Sequence, residues 1–158
     1  MIEMVPLEKQ HYAGLYEIAL RTEPFAADFM PTVFHFNSLM KEGEGWALKD
    51  GENLIGAITL SGLIPLLDVF IHVFVEKQYH GKWMSRKIGK IVGRHVFNNL
   101  SLPRMSSFAV KDVTPEAEIF LVELGFRLEG IKEKAAKMPD GYHDLILYGV
   151  LKERWRWQ

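Results

Sequence analysis

Apolar residues in this chain recur at two spacings, and the change from one to the other marks out the elements. "MIEMVPL" has the short apolar character of a first strand. In "LEKQHYAGLYEIALR", Tyr12, Leu15, Tyr16, Ala19 and Leu20 fall three to four residues apart, the period of a helix with one buried face. "TEPFAADFMP" is a loop rich in Pro and Phe, and "TVFHFNSLMKEG" predicts a second helix that Gly43 stops. The period then shortens to two. "GWALKDGENLIGAITLSG" predicts two strands about an Asp50-Gly51 turn, a strong hairpin signal. "LLDVFIHVFVEK" predicts a longer strand with Val69, Ile71, Val73 and Val75 on one face and Asp68, Phe70, His72 and Phe74 on the other. Both faces are largely apolar, as a central strand covered on each side requires.

Helical spacing returns with Met84, Ile88, Ile91, Val92, His95, Val96 and Leu100. "RMSSFAV" predicts a strand. "KDVTPEAEIFLVELGF" predicts a helix with Thr114 as N-cap, Pro115 in the first position and Gly125 past the last turn. "FRLEGIKEKAA" and "YHDLILYGVLKER" predict two strands joined through "KMPDG". The order β-α-α-β-β-β-α-β-α-β-β describes an α/β (α+β) fold: a mixed sheet of about seven strands with about four helices on its two faces.

The length, 158 residues, suits one domain spanning 1–158, and 48% hydrophobic with 25% charged residues suits a globular one. A net charge of −1 supplies no global field for nucleic acid, so none is expected as a partner and any anion site must be local. The chain has no cysteine, which removes disulfides, thiolate metal sites and a cysteine nucleophile. The six histidines are scattered without HExxH or a comparable pair, so no metal is expected. No stretch reaches the roughly 18 apolar residues of a membrane span. "MIEMVPLEKQ" lacks the basic start and apolar run of a signal peptide. A cytoplasmic protein without a membrane partner is therefore expected.

The chemistry concentrates in "VEKQYHGKWMSRKIGKIVGRHVF", residues 75–97, where the central strand runs through a polar turn into a helix. A helix start exposes about four N–H groups without intrahelical partners and carries roughly half a positive charge. Gly81 permits close backbone approach, and Lys82, Arg86 and Lys87 add charge, a combination suited to a phosphate. The alternative is a plain connection with a solvated basic face. GxxxxGK[ST] and GxGxxG are both absent, which sets aside a Walker loop and a dinucleotide-binding unit.

"VFVEKQYHGKWMSRKIGKIV" resembles the coenzyme A loop of the GCN5-related N-acetyltransferases (GNAT), in which a valine-rich strand end runs into R/Q-x-x-G-x-G/A at a helix start. The element order is similar across nearly the whole chain. "LVELGFRLEGIKEKAAKMPDGYHDLILYGVLKERW" resembles the end of the ribosomal-protein-acetyltransferase-like branch, through its LGF, Glu129-Gly130, Asp140-Gly141 and Asp144 signals. The resemblance implies acetyl-CoA as co-substrate, lying where the central strand diverges from "RMSSFAV". The backbone of Val73, Phe74 and Val75 would hold the pantetheine arm. Amides from Gly81 through Lys82, Trp83, Met84 and Ser85 to Arg86 would hold the pyrophosphate, with His80 beside it. The acceptor would be a primary amine on a small molecule or peptide: a protein N-terminus, a polyamine or an aminoglycoside. It would attack the thioester directly, so no enzyme nucleophile is needed.

The chain departs from the family pattern at several positions. His80 stands at the arginine or glutamine of the loop, and Trp83 and Ser85 at two glycine or alanine positions. Thr114 and Leu121 stand where many members carry an asparagine and a general-acid tyrosine. The alternative these departures support is an inactive module of the same fold that has lost acetyl-CoA binding. His72 and Asp68, on one face of the central strand, are the candidate catalytic pair, with a hydrogen-bonded packing role as the other reading. Glu118, Ser106 and Ser107 are secondary candidates for the same cleft. Phe25, Phe29 and the "FHF" at 34–36 could line an acceptor pocket or seal the sheet. The tryptophans of "ERWRW" pack on the domain or form a homodimer contact.

Overall fold

The structure, a computed structural model, describes residues 1–22, 40–41 and 44–157, with the side chains of all but Lys82 and Trp83. The second helix expected over "TVFHFNSLMKEG" lies almost wholly outside these residues, as do Phe25, Phe29 and the "FHF" aromatics. Seven strands hydrogen-bond in the order β1-β2-β3-β4-β5-β7-β6. They are β1 (Ile2–Pro6), β2 (Glu44–Asp50), β3 (Asn53–Ile64), β4 (Asp68–Val75), β5 (Arg104–Val110), β6 (Arg127–Met138) and β7 (Gly141–Leu151). Three α-helices accompany them among the described residues: α1 (Tyr12–Thr22), α2 (Lys82–Gly93) and α3 (Pro115–Leu124). The chain divides into two compact units, Met1–Gly62 with Ile71–His80, and Leu63–Phe70 with Gly81–Gln158.

In the first unit β1, β2 and β3 form an antiparallel meander. Its hairpin turns at Gly51 (φ 59°), as the Asp50-Gly51 signal predicts. The apolar face of α1 contributes Tyr12, Leu15, Ile18 and Ala19 to a cluster with Met40, Ala57 and Phe74. The helical spacing read from the sequence is thus the burial pattern, except that Leu20 is exposed and Ile18 takes a place in the core.

In the second unit β5 pairs antiparallel with β7, and β7 with β6. β5 pairs parallel with β4 through a single residue pair, Phe70 with Ser106. Met105 and Ala109 of β5 face the same way as Val150 and Ile146 of β7, and all four are buried. The opposite face carries Phe70, Ser106 and Phe108, the two rings 5.3 Å apart. β6 is longer than its sequence pattern suggests, because two register shifts let it follow β7 to Met138.

Helix α3 starts at Pro115 and ends on Gly125 in the left-handed conformation (φ 105°), as expected. Thr114 holds the N-cap position without a side-chain cap. Its hydroxyl instead accepts from the Val110 amide at 2.9 Å, tying the helix to the end of β5. α2 buries Met84, Ile88 and Val92 as predicted, but the turns beyond Gly93 widen into a π-helix, Arg94–Asn99.

Candidate active site

The corner is built from the end of β4 onward. After Val75 the Glu76 amide donates to the Ile55 carbonyl at 2.9 Å, which closes the strand. One 3₁₀ turn, Lys77–Tyr79, follows. His80 then folds back so that Nε2 lies 2.9 Å from the Val75 carbonyl. A carbonyl only accepts, so Nε2 carries the proton in this bond.

Gly81 has φ 155° and ψ 168°, a region open essentially to glycine alone. It turns the chain into α2 in a conformation that L side chains rarely adopt. The Gly81 carbonyl accepts from the Met84 amide at 3.0 Å and the Ser85 amide at 3.4 Å. Helix geometry leaves the amides of Gly81, Lys82 and Trp83 without an intrahelical acceptor. These three, with the dipole behind them, make the head of α2 a candidate anion site.

The expected cradle of amides from Gly81 through Arg86 is therefore narrower. The Met84 and Ser85 amides are spent on the first helical turn, and that of Arg86 belongs to the helix interior. The Met84 side chain is buried. That of Ser85, also buried, donates from Oγ to Glu123 Oε2 at 2.6 Å and links α2 to α3. Arg86 remains exposed at the surface of α2.

His72 and Val73 are half-buried on β4, while Phe74 and Val75 are buried. The His72 ring lies 5.8 Å from that of Phe74. Asp68 has both oxygens engaged. Oδ1 accepts from the Val69 amide at 2.9 Å, and Oδ2 from Ser106 Oγ at 2.6 Å and Arg104 Nε at 3.1 Å. Arg104 donates in turn to Ser106 Oγ at 3.0 Å and to Glu129 Oε2 at 2.6 Å. Hydrogen bonding to Glu129, with Asp68 close by, raises the Arg104 pKa. Residues four apart on a strand are separated by about 13 Å, too far for Asp68 and His72 to exchange a proton directly. The candidate pair thus separates: Asp68 anchors a polar network, and His72 is left as the candidate base.

Sequence reading did not anticipate this network. Its signal was the Glu129-Gly130 step, where β6 carries an extra residue against β7. The bulge lets Glu129 pass over Gly149, where a Cβ would collide with its carboxylate.

Two further polar pairs complete this unit. Glu118 accepts from the Tyr148 hydroxyl at 3.0 Å, and burial, with this bond, raises the tyrosine pKa. Leu121, one turn beyond Glu118 on α3, is buried. At the turn joining β6 and β7, His143 Nε2 lies 2.8 Å from Asp140 Oδ1. Hydrogen bonding raises the His143 pKa and lowers that of Asp140. Ser107 is buried on β5, on the face opposite Ser106. Among the described residues no group of three or more His, Asp or Glu is placed to hold a metal ion, and no helix is long and apolar enough to cross a membrane.

No family model and no curated protein sequence matches the chain. Solved structures do. A spermidine N-acetyltransferase from Vibrio cholerae, solved with CoA and spermine, superposes with a TM-score of 0.78 at 15% identity, covering 97% of this chain and 96% of that one. The ribosomal-protein-S5-alanine acetyltransferase from Vibrio fischeri superposes at 0.77 and 15% identity, covering 98% and 95%. At these identities the likeness establishes the fold, which is that of the GNAT acetyltransferases, over almost the full length of both partners.

Proposed function

We propose that this chain, which carries the GNAT fold, is an N-acetyltransferase that moves acetyl from acetyl-CoA to a primary amine. The observation that carries the reading is the corner at Gly81. A glycine-only backbone conformation opens a helix whose first three amides need acceptors, one short 3₁₀ turn after the strand expected to bind the pantetheine arm. In this reading the amides of Gly81, Lys82 and Trp83 hold the diphosphate, and Arg86 adds charge at the rim. The backbone of Val73, Phe74 and Val75 lies along the arm. For Val75 this requires the His80 ring to leave the carbonyl it now occupies, or to remain there as a lateral contact.

His72 serves as the base that takes a proton from the attacking ammonium, a role that suits an imidazole. The free amine then attacks the thioester carbon, the carbon–sulfur bond breaks, and the proton the nitrogen sheds on becoming an amide neutralises the departing CoA thiolate. Positioning of the two substrates supplies most of the acceleration. Polyamines and protein N-termini are the acceptor classes to try first, since structures of the same fold are named for one of each.

One observation favours the rival reading of a module that has lost acyl-CoA binding: the Val75 carbonyl and the Ser85 hydroxyl both already have protein partners. The two readings separate in an assay of CoA thiol release from acetyl-CoA, with spermidine or a peptide bearing a free N-terminal amine as acceptor. The enzyme reading expects release that depends on one of these acceptors and falls about 10²-fold or more in His72→Gln. Release that ignores both acceptors, or a His72→Gln variant as fast as wild type, contradicts the assignment or the base respectively.

A further inference from the structure

The tail after β7 folds back onto α2 in a manner the proposed chemistry leaves unused. Trp155 is 5% exposed, and its indole Nε1–H donates to the Gly89 carbonyl at 3.2 Å. Its ring meets Phe97 and Phe126 edge-on, at 5.4 and 6.2 Å. A Cβ on Gly93 would collide with the Trp155 indole, and one on Gly89 with that of Trp157. α2 thus presents two glycines, one turn apart, as the surface on which the tail is seated. Lys152 adds a second anchor, its Nζ donating to the Phe97 carbonyl at 2.9 Å.

The helix changes type at this contact. Through Gly93 it is α-helical. From Arg94 to Asn99 it is a π-helix, closed by the Leu100 amide on the His95 carbonyl at 2.9 Å. The Gly89 carbonyl that takes the indole proton is the one α-helical geometry assigns to the Gly93 amide. A side chain reaching into the helical ladder is a recognised cause of such a break. A π turn inserts one residue, so it rotates everything on one side by about 100° relative to an unbroken α-helix. What rotates here is the segment running back to Gly81, about 12 Å from Gly89 along the axis.

We propose that Trp155, with Lys152, is a positioning residue for the acetyl-CoA site: the tail fixes the α-to-π step at Gly93 and so sets the direction in which the Gly81, Lys82 and Trp83 amides face. The inference rests on the acetyl-CoA reading above and deepens it, by assigning control of cofactor affinity to residues that do not touch the cofactor.

Two variants test it. Trp155→Phe keeps a ring against Phe97 and Phe126 but removes the N–H. Lys152→Met removes the second anchor at an exposed position, so one folded variant remains if the first does not fold. Acetyl-CoA binding is measured by calorimetry on protein whose circular dichroism matches wild type, alongside steady-state kinetics. The dissociation constant and KM for acetyl-CoA are expected to rise at least about fivefold. At saturating acetyl-CoA, kcat is expected to stay within about twofold of wild type. Folded variants that bind as tightly as wild type, with only their thermal stability lowered, overturn the positioning role and leave the tail as packing. Wild-type protein that does not bind acetyl-CoA overturns the proposed function itself, and this extension with it.

Discussion

At the scale of single residues, the corner was legible and the carboxylates were not. Gly81 stood out because one glycine sat between a strand period and a helix period, and its φ of 155° is the reason it is there. Asp68 looked like a catalytic candidate beside His72 because alternation put both on one face. Its side-chain partners, Arg104 and Ser106, come from 36 and 38 positions away, and no local pattern encodes such a meeting. The same holds for Ser85. Its hydroxyl is an anomaly in the loop only until Glu123, from the next helix, is seen to accept from it.

A pair at the β6–β7 turn makes a residue-scale prediction. His143 titrates above 6.5 in the folded chain, so its share of the stabilisation is complete below 6.5 and is lost as pH rises through the raised value. Asp140 titrates below 3.8, so its share is present above 3.8 and is lost as pH falls through the lowered value. The turn is therefore best held between these limits, weakly, because Asp140 is largely exposed. Titration of the His143 ring by NMR is expected to show an elevated pKa that Asp140→Asn returns towards the ordinary histidine range. An unchanged value in that variant contradicts the pairing.

At the scale of elements, period and punctuation carried most of the fold. The Asp50-Gly51 hairpin, the seven strands and the Pro115 and Gly125 ends of α3 all follow from rules that act over a few residues. Long-range effects were missed. They include the π-helix after Gly93, against which the C-terminal tail packs, and the register shifts by which β6 follows β7. The bulge at Glu129 is the clearest test of such an effect. Ala at position 149 would push the Glu129 carboxylate off Arg104. Gly149→Ala is therefore expected to destabilise the wild-type background more than the Glu129→Ala background, by a coupling of about 0.5–1 kcal/mol, kept small because the ion pair is half-exposed. Denaturant unfolding of the four variants measures it. Additive effects would mean that Glu129 and Gly149 are independent.

At the scale of the whole chain, a fold can outlast its sequence. Structures of known acetyltransferases superpose over almost the full length at 15% identity, while the motif that would name a substrate is diluted to one glycine, a basic rim and three amides. The proposed function rests on whether what remains holds a diphosphate. The direct measurement is thermal unfolding of the wild-type chain against increasing acetyl-CoA, with Gly81→Ala alongside. Bound at 100 times its dissociation constant, acetyl-CoA is expected to stabilise wild type by about 2.7 kcal/mol and the Gly81 variant by clearly less. Wild-type protein whose unfolding temperature does not move at millimolar acetyl-CoA would contradict the account.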